Sequence, residues 1–319
     1  MKNIFKIMKP VFKLIFFCVT LIGFFSINYF YQMYSSEKYA ENFEKSIKYS
    51  DITGFNETGG TPLFWTKQYN DRTMFFFGEM NNPNPIGNYY SYFKQIHDVE
   101  GCNIIAPVLG TQSMTLKLRN RTWSPKEDER EALQIYNSVC AMLPQGHKII
   151  LVAKGTGNFA AAVIMAEASK KPDEVIMISP VNADIVNDDA PIKIRLASTG
   201  PEWLKYIFPF MNNSSYPSYT EYKDMYPEYN LNSFHEIYKE SIYFEDNIIS
   251  KIKNNNIAVV WGENDPMYKT SGYERVIQKL MDSKNKVKPY KLKNTGYYVL
   301  QGEETDKVKE IFRKAVRNY

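Results

Sequence analysis

Five short runs in this chain are apolar almost end to end: TMFFF (Thr73–Phe77), NIIAPV (Asn103–Val108), KIILVA (Lys148–Ala153), EVIMIS (Glu174–Ser179) and IAVVWG (Ile257–Gly262). A strand with one wet face alternates apolar and polar residues, whereas a strand that is apolar on both faces needs helices packed against both. The intervening segments supply those helices. Loop NNPNPIG (81–87) leads into a helix near Tyr89–His97. SPKE at Ser124–Glu127 joins a serine cap, a proline in the first turn and a glutamate three residues beyond the cap, and Ala132, Ile135, Tyr136 and Val139 follow at helical spacing. After the fifth run come a helix near Tyr273–Met281, a strand KVKPYKL (Lys286–Leu292) and a final helix with Val308, Ile311, Phe312, Ala315 and Val316 on one stripe. The expected class is α/β, with a mostly parallel sheet flanked by helices.

The rhythm breaks twice. Between about 181 and 250 lies an aromatic insertion containing Tyr216, Tyr219, Tyr222, Tyr226 and Tyr229. These tyrosines line an amphipathic ligand cleft, present a protein-binding face, or pack the insertion itself, and the sequence does not separate the three. Before the first strand, residues 1–13 form a basic N-terminus, Leu14–Ser36 an uncharged apolar stretch, and 37–72 a polar connector.

Lys2, Lys6, Lys9 and Lys13 precede the apolar stretch and Glu37 is the first charge after it. Its apolar centre is about the 20 residues needed to cross a bilayer as a helix. The alternative is a cleaved signal peptide, but the run is longer than a usual signal core and no small-x-small site follows. The expectation is an uncleaved anchor, with the N-terminus cytoplasmic and the body outside the cytoplasm, periplasmic in a bacterium. Without those four lysines, 35 basic side chains balance 35 acidic ones, so electrostatic binding to nucleic acid is not expected. Cys18 lies in the apolar stretch, while Cys102 and Cys140 either form a disulfide or pack as buried free thiols, the second being expected. No metal-ligand spacing occurs, and no cofactor is expected.

The stretch LVAKGTGNFAAAVIMA (151–166) carries the chemistry. Gly155, Gly157 and Ala160 satisfy G-x-G-x-x-A between a strand and a helix, the pattern by which a helix N-terminus approaches a dinucleotide pyrophosphate. Such a unit uses the first strand and an acidic residue at the end of the next. Here two strands come earlier, and Asp184 falls beyond the strand and a proline.

From about Thr73 to the C-terminus the chain resembles the α/β-hydrolase superfamily with a cap insertion. In that family a strand-to-helix elbow, small-x-nucleophile-x-small, exposes a serine above the sheet. Ala153-Lys154-Gly155-Thr156-Gly157 matches the elbow with Gly155 at the nucleophile position. FFFGEM resembles the loop that donates an oxyanion-hole amide, with Phe77-Gly78 standing for His-Gly. The resemblance implies backbone amides at Gly78 and Thr156 for that hole. VVWGENDP resembles the acid loop and puts the acid at Asp265, while LKNTGYYVL resembles the Gly-His stretch but reads Gly296-Tyr297.

The acid position is thus kept while serine and histidine are both replaced. Acyl transfer of this kind needs a hydroxyl or thiolate to attack and an imidazole to carry the proton, and a phenol of ordinary pKa is a poor base at neutral pH. Glycine also relieves the strain of the elbow. Thr156 is the nearest hydroxyl, pointing away from the attack line in the family's geometry, and Lys154 reads as an ordinary elbow residue. Of the three histidines, His97 and His147 belong to the far end of the sheet and only His235 lies in the insertion. Asp265, in Asn-Asp-Pro, also suits a turn that caps the following helix. The expected function is a membrane-anchored, catalytically silent hydrolase-like protein that binds a small apolar ligand or a protein partner. The alternatives are an esterase or lipase with a non-standard nucleophile and, second, a dinucleotide-binding protein.

Overall fold

In the computed structural model the apolar runs lie side by side in a seven-stranded sheet. The structure describes residues 13–27, 30–31, 63–67, 70–79, 86, 89–109, 124–184, 210–212, 228–265, 268–297, 299–300 and 302–317. The strands are β1 (Leu63–Trp65), β2 (Arg72–Phe77), β3 (Asn103–Ala106), β4 (Lys148–Lys154), β5 (Glu174–Ile178), β8 (Asn256–Gly262) and β9 (Lys286–Leu292), and β6 (Phe210–Asn212) and β7 (Glu228–Asn230) form a separate antiparallel pair. The helices are α1 (Tyr90–Glu100), α2 (Pro125–Met142), α3 (Gly157–Glu167), α4 (Leu231–Tyr243), α5 (Thr270–Asp282) and α6 (Thr305–Arg317). Sheet order is β1-β3-β2-β4-β5-β8-β9, parallel throughout except for β1.

Both faces of the sheet are covered over β2 to β5, which is why those strands lack alternation. Phe75, Phe77, Leu151 and Ala153 face the core shared with α2, α3 and α5, whereas Met74, Phe76, Ile150 and Val152 face the core shared with α1 and α6. Burying each such large side chain contributes about 1.5–3 kcal/mol. Helix α3 is buried all round, as its run of alanines between sheet and neighbouring helices requires. Cys102 and Cys140 are buried free thiols and belong to opposite cores, as the packing expectation had it. Pro289 falls within edge strand β9, where a missing ladder donor is tolerated.

β1 lies within the stretch expected as connector. Three residues are too few for any periodicity, and the strand exists because Leu63, Phe64 and Trp65 pair with Ala106, Ile105 and Ile104. The span expected at Leu14–Ser36 is not borne out as a spanning helix. The helix there covers 13–27, residues 28–29 and 32–36 lie outside the described residues, and no described helix is long and apolar enough to cross a membrane. Of the insertion, Tyr216, Tyr219, Tyr222 and Tyr226 lie outside the described residues, and Tyr229 falls on β7.

Helix α4 meets α2 where two neighbouring carboxyls, Glu129 and Glu240, are buried. Burial, then the neighbouring Glu240 carboxyl, pushes Glu129 up from its ordinary 4.5 to about 8, and burial raises Glu240 too; Lys126 opposes both shifts, while Asp128 and Glu236 add to them. The folded chain keeps a proton that the unfolded chain releases. This stabilisation is therefore complete below about pH 4.5 and is lost as pH rises through about 8. The urea midpoint is expected to fall between pH 6 and pH 9, and Glu129→Gln to flatten that fall. An unchanged slope in the variant would contradict the shared proton.

Candidate functional site

The order of the strands decides where a site can form. The chain runs from β2 to β3 on one side, then returns to place β4 on the other side of β2. In open parallel sheets such a reversal leaves a crevice beyond the carboxyl ends of the two strands. Here the turns after β2 and β4 meet in that crevice, and register Phe77↔Ala153 sets Glu79 beside Lys154 and Gly155.

Gly155 has φ +54°, a left-handed conformation that disfavours any side chain. Its amide donates to the Ile178 carbonyl (3.0 Å), and its own carbonyl accepts from the Asn158 amide and side chain, 3.1 and 2.9 Å. The turn is therefore held tightly without a side chain of its own. A Cβ built on Gly155 would collide with the Tyr297 hydroxyl and come within 2.8 Å of Glu79 Cγ. Gly157, two residues on, lies against the carbonyls of Phe77 and Gly78, so the loop after β2 presses on the start of α3. Thr156 precedes α3 and is buried.

Beside the turn stands a buried ion pair that the residues one by one do not announce. Lys154 Nζ donates to Glu79 Oε1 at 2.5 Å, and both side chains are under 10% exposed, at 7% and 4%. The same ammonium lies 4.8 Å from the centre of the Tyr297 ring. Lys154, expected as an ordinary elbow residue, thus holds the cluster together. Glu79 was not singled out in the sequence, where its only signal is a lone charge following FFFG.

Of the three positions matched to a triad, Gly155 and Tyr297 meet, and Tyr268 stands between Tyr297 and Asp265. Tyr297 is buried against Gly155, and its ring packs 6.1 Å from that of Tyr268. The amide of Tyr268 donates to Asp265 Oδ1 (3.2 Å), and the buried Tyr273 hydroxyl donates to Asp265 Oδ2 (2.5 Å). Burial, with the Asp265 charge second, pushes the Tyr273 phenol well above its ordinary value, so it stays a donor. The acid position therefore ends on a phenol. The acid and tyrosine loops are laced together by Asn264 N–H donating to Thr295 O at 2.9 Å, and Gly262 passes so close to Thr295 and Gly296 that a side chain would not fit.

Ser179, at the end of β5, is a hydroxyl at the open end of the sheet that the sequence reading did not select. It has φ +41° and donates to the Tyr297 carbonyl (3.2 Å). The histidines are engaged elsewhere. His147 bonds Thr73 Oγ1 (2.8 Å) at the amino end of β4, and His97 Nδ1 bonds the Cys102 carbonyl (2.9 Å) at the end of α1. His235 lies on α4. Among the described residues no His, Cys, Asp and Glu cluster is arranged to hold a metal ion. The Glu79 side chain beside Gly155 and the Phe77 and Gly78 carbonyls against Gly157 fill the space a pyrophosphate would need at this turn, which argues against that reading.

Neither a protein-family model nor a curated protein sequence matches the chain. Solved structures do. A structure described with the metagenome-derived lipolytic enzymes LipS and LipT superposes with a TM-score of 0.60 at 8% identity, over 82% of this chain and 98% of that one. A monoacylglycerol lipase from Paleococcus ferrophilus gives 0.55 at 13% identity, over 82% and 99%. A thermostable carboxyl esterase from Bacillus coagulans gives 0.57 at 10%, over 81% and 97%.

Proposed function

We propose that this chain, which has the α/β-hydrolase fold, is a catalytically silent hydrolase-like protein, tethered to a membrane, that binds a small apolar ligand or a protein partner. One observation carries the silence: the volume a nucleophile's side chain would occupy on Gly155 is filled by the Tyr297 hydroxyl and bordered by Glu79. In the same cluster the cation of Lys154 is committed to Glu79 and the Asp265 carboxylate to Tyr273 and Tyr268. Among the described residues at this turn, the groups that would drive acyl transfer are replaced or already bonded. The tyrosine-rich insertion, at the place where hydrolase caps lie, supports an amphipathic binding surface. Tethering rests on the sequence asymmetry of four lysines before Leu14 and none between there and Ser36, which orients the body away from the cytoplasm.

The competing reading is an esterase or lipase with a non-standard nucleophile, favoured by the kinship in fold to lipolytic enzymes and by the hydroxyls of Ser179 and Thr156. The full chain treated with a fluorophosphonate probe and with nitrophenyl esters separates the two. No labelling, and turnover no greater than that of a heat-denatured sample, is expected. Ester turnover that persists in Thr156→Ala and His235→Ala yet vanishes in Asp265→Asn would establish a working site and end the silent reading.

A further inference from the structure

At the opposite end of the sheet from Gly155 lies an open groove of about 570 Å3, between the first halves of β5, β8 and β9 and the last turns of α6. That volume is ordinary for a small-molecule site. Its floor is a cross-strand row, Ile176–Ala258–Lys288, set by the register of β5, β8 and β9. Strand β8 is interior, with a partner on each side, yet Ala258 is only half-buried, as is Ala315 on α6 above it. The small side chains leave an apolar floor uncovered where a helix–sheet contact would ordinarily close.

The rim is cationic in a body whose charges balance overall. Lys286, Lys288, Arg313, Lys314 and Arg317 line the groove against the carboxylates Glu174 and Glu310. Two of the five are matched: Arg317 pairs with Glu100 at 2.7 Å and Lys314 with Glu310 at 3.6 Å. The side chains of Lys286, Lys288 and Arg313 make no hydrogen bond or ion pair among the described residues, although the Arg313 charge acts on Glu100 and Tyr92. Lys286 and Lys288 alternate with Tyr290 along β9 and so share the groove's face. Unmatched cations above an exposed apolar floor are complementary to a molecule with an anionic head and a short apolar body.

We propose that this groove binds an acidic amphiphile, a free medium-chain molecule with a carboxylate or phosphate head, with the head on Lys288 and Arg313 and the chain over Ala258 and Ala315. The site is separate from the silent turn and does not depend on the function proposed above. The test is titration calorimetry of the full chain in neutral-lipid nanodiscs with octanoate, 1-octanol and inorganic phosphate as separate probes. Octanoate is expected to bind one per chain, with octanol and phosphate each at least tenfold weaker. Lys288→Glu or Arg313→Glu should weaken octanoate at least tenfold and Lys288→Gln less so, while Ala258→Phe should block the floor without altering charge. Should Ala258→Phe fail to fold, the charge reversals, of which Lys288→Glu is at an exposed position, still decide the matter. Equal binding of octanol or phosphate, octanoate affinity indifferent to both reversals, or affinity lost instead in Asp265→Asn would each overturn the proposal. So would octanoate binding that is absent in solution while the chain binds vesicles containing phosphatidylglycerol, because that pattern assigns the cations to a lipid surface.

Discussion

Gly155→Ser is expected to destabilise the protein and to restore no hydrolysis. Two separate penalties act at this one position. The φ of +54° forces any L side chain into the left-handed region, at about 1–2 kcal/mol, and the new Cβ meets the Tyr297 hydroxyl and Glu79 in a packed interior, where overfilling costs about 1–3 kcal/mol more. A loss of roughly 2–5 kcal/mol should appear as a lower urea midpoint at unchanged m-value. Because Tyr297 causes part of it, Gly155→Ser with Tyr297→His should be less destabilised than additivity allows, by about 1 kcal/mol or more in a double-mutant cycle. A stable Gly155→Ser protein that turns over nitrophenyl esters would show that the tyrosine moves aside and that a base reaches the turn.

The second large effect is at the ion pair. Lys154→Met leaves the Glu79 carboxylate buried without its cation, and Glu79→Gln leaves the ammonium without its anion. Removing one partner of a buried pair costs about 3–5 kcal/mol. Replacing both, as Lys154→Met with Glu79→Met, removes the uncompensated charge and should recover most of that loss, since an apolar pair of similar volume is often neutral or better. Equilibrium unfolding of the three variants measures this directly. Single losses below about 1 kcal/mol would match a solvent-screened pair and contradict the burial of both side chains.

The fold was legible from residues in proportion to how locally each element is specified. The runs at Thr73–Phe77, Lys148–Ala153 and Glu174–Ser179 are strands within a residue at either end, because burial on both faces writes an unbroken apolar word into the sequence. KVKPYKL is a strand over its whole length, and the stripe Val308, Ile311, Phe312 and Val316 is the buried face of α6. β1 was not legible, since three residues acquire strand character only by pairing with β3. At the site, the elbow, the acid position and the tyrosine in place of histidine could each be matched to a family pattern. The Lys154–Glu79 pair could not: 75 positions separate its members, and only the adjacency of β2 and β4 joins them. In the sequence Ser179 reads only as the polar end of an apolar strand.

Residue order alone settles the composition of this crevice: no attacking oxygen at Gly155, no imidazole at Tyr297, a carboxyl at Asp265. Those are facts of covalent structure, and no arrangement of the chain alters them. Whether the emptied position remains an open pocket or becomes solid depends on distances between loops that follow different strands. Parallel strands brought into register carry Glu79, Lys154 and Tyr297 to one point, and a phenol packed over a glycine occupies the space that a side chain at Gly155 would take.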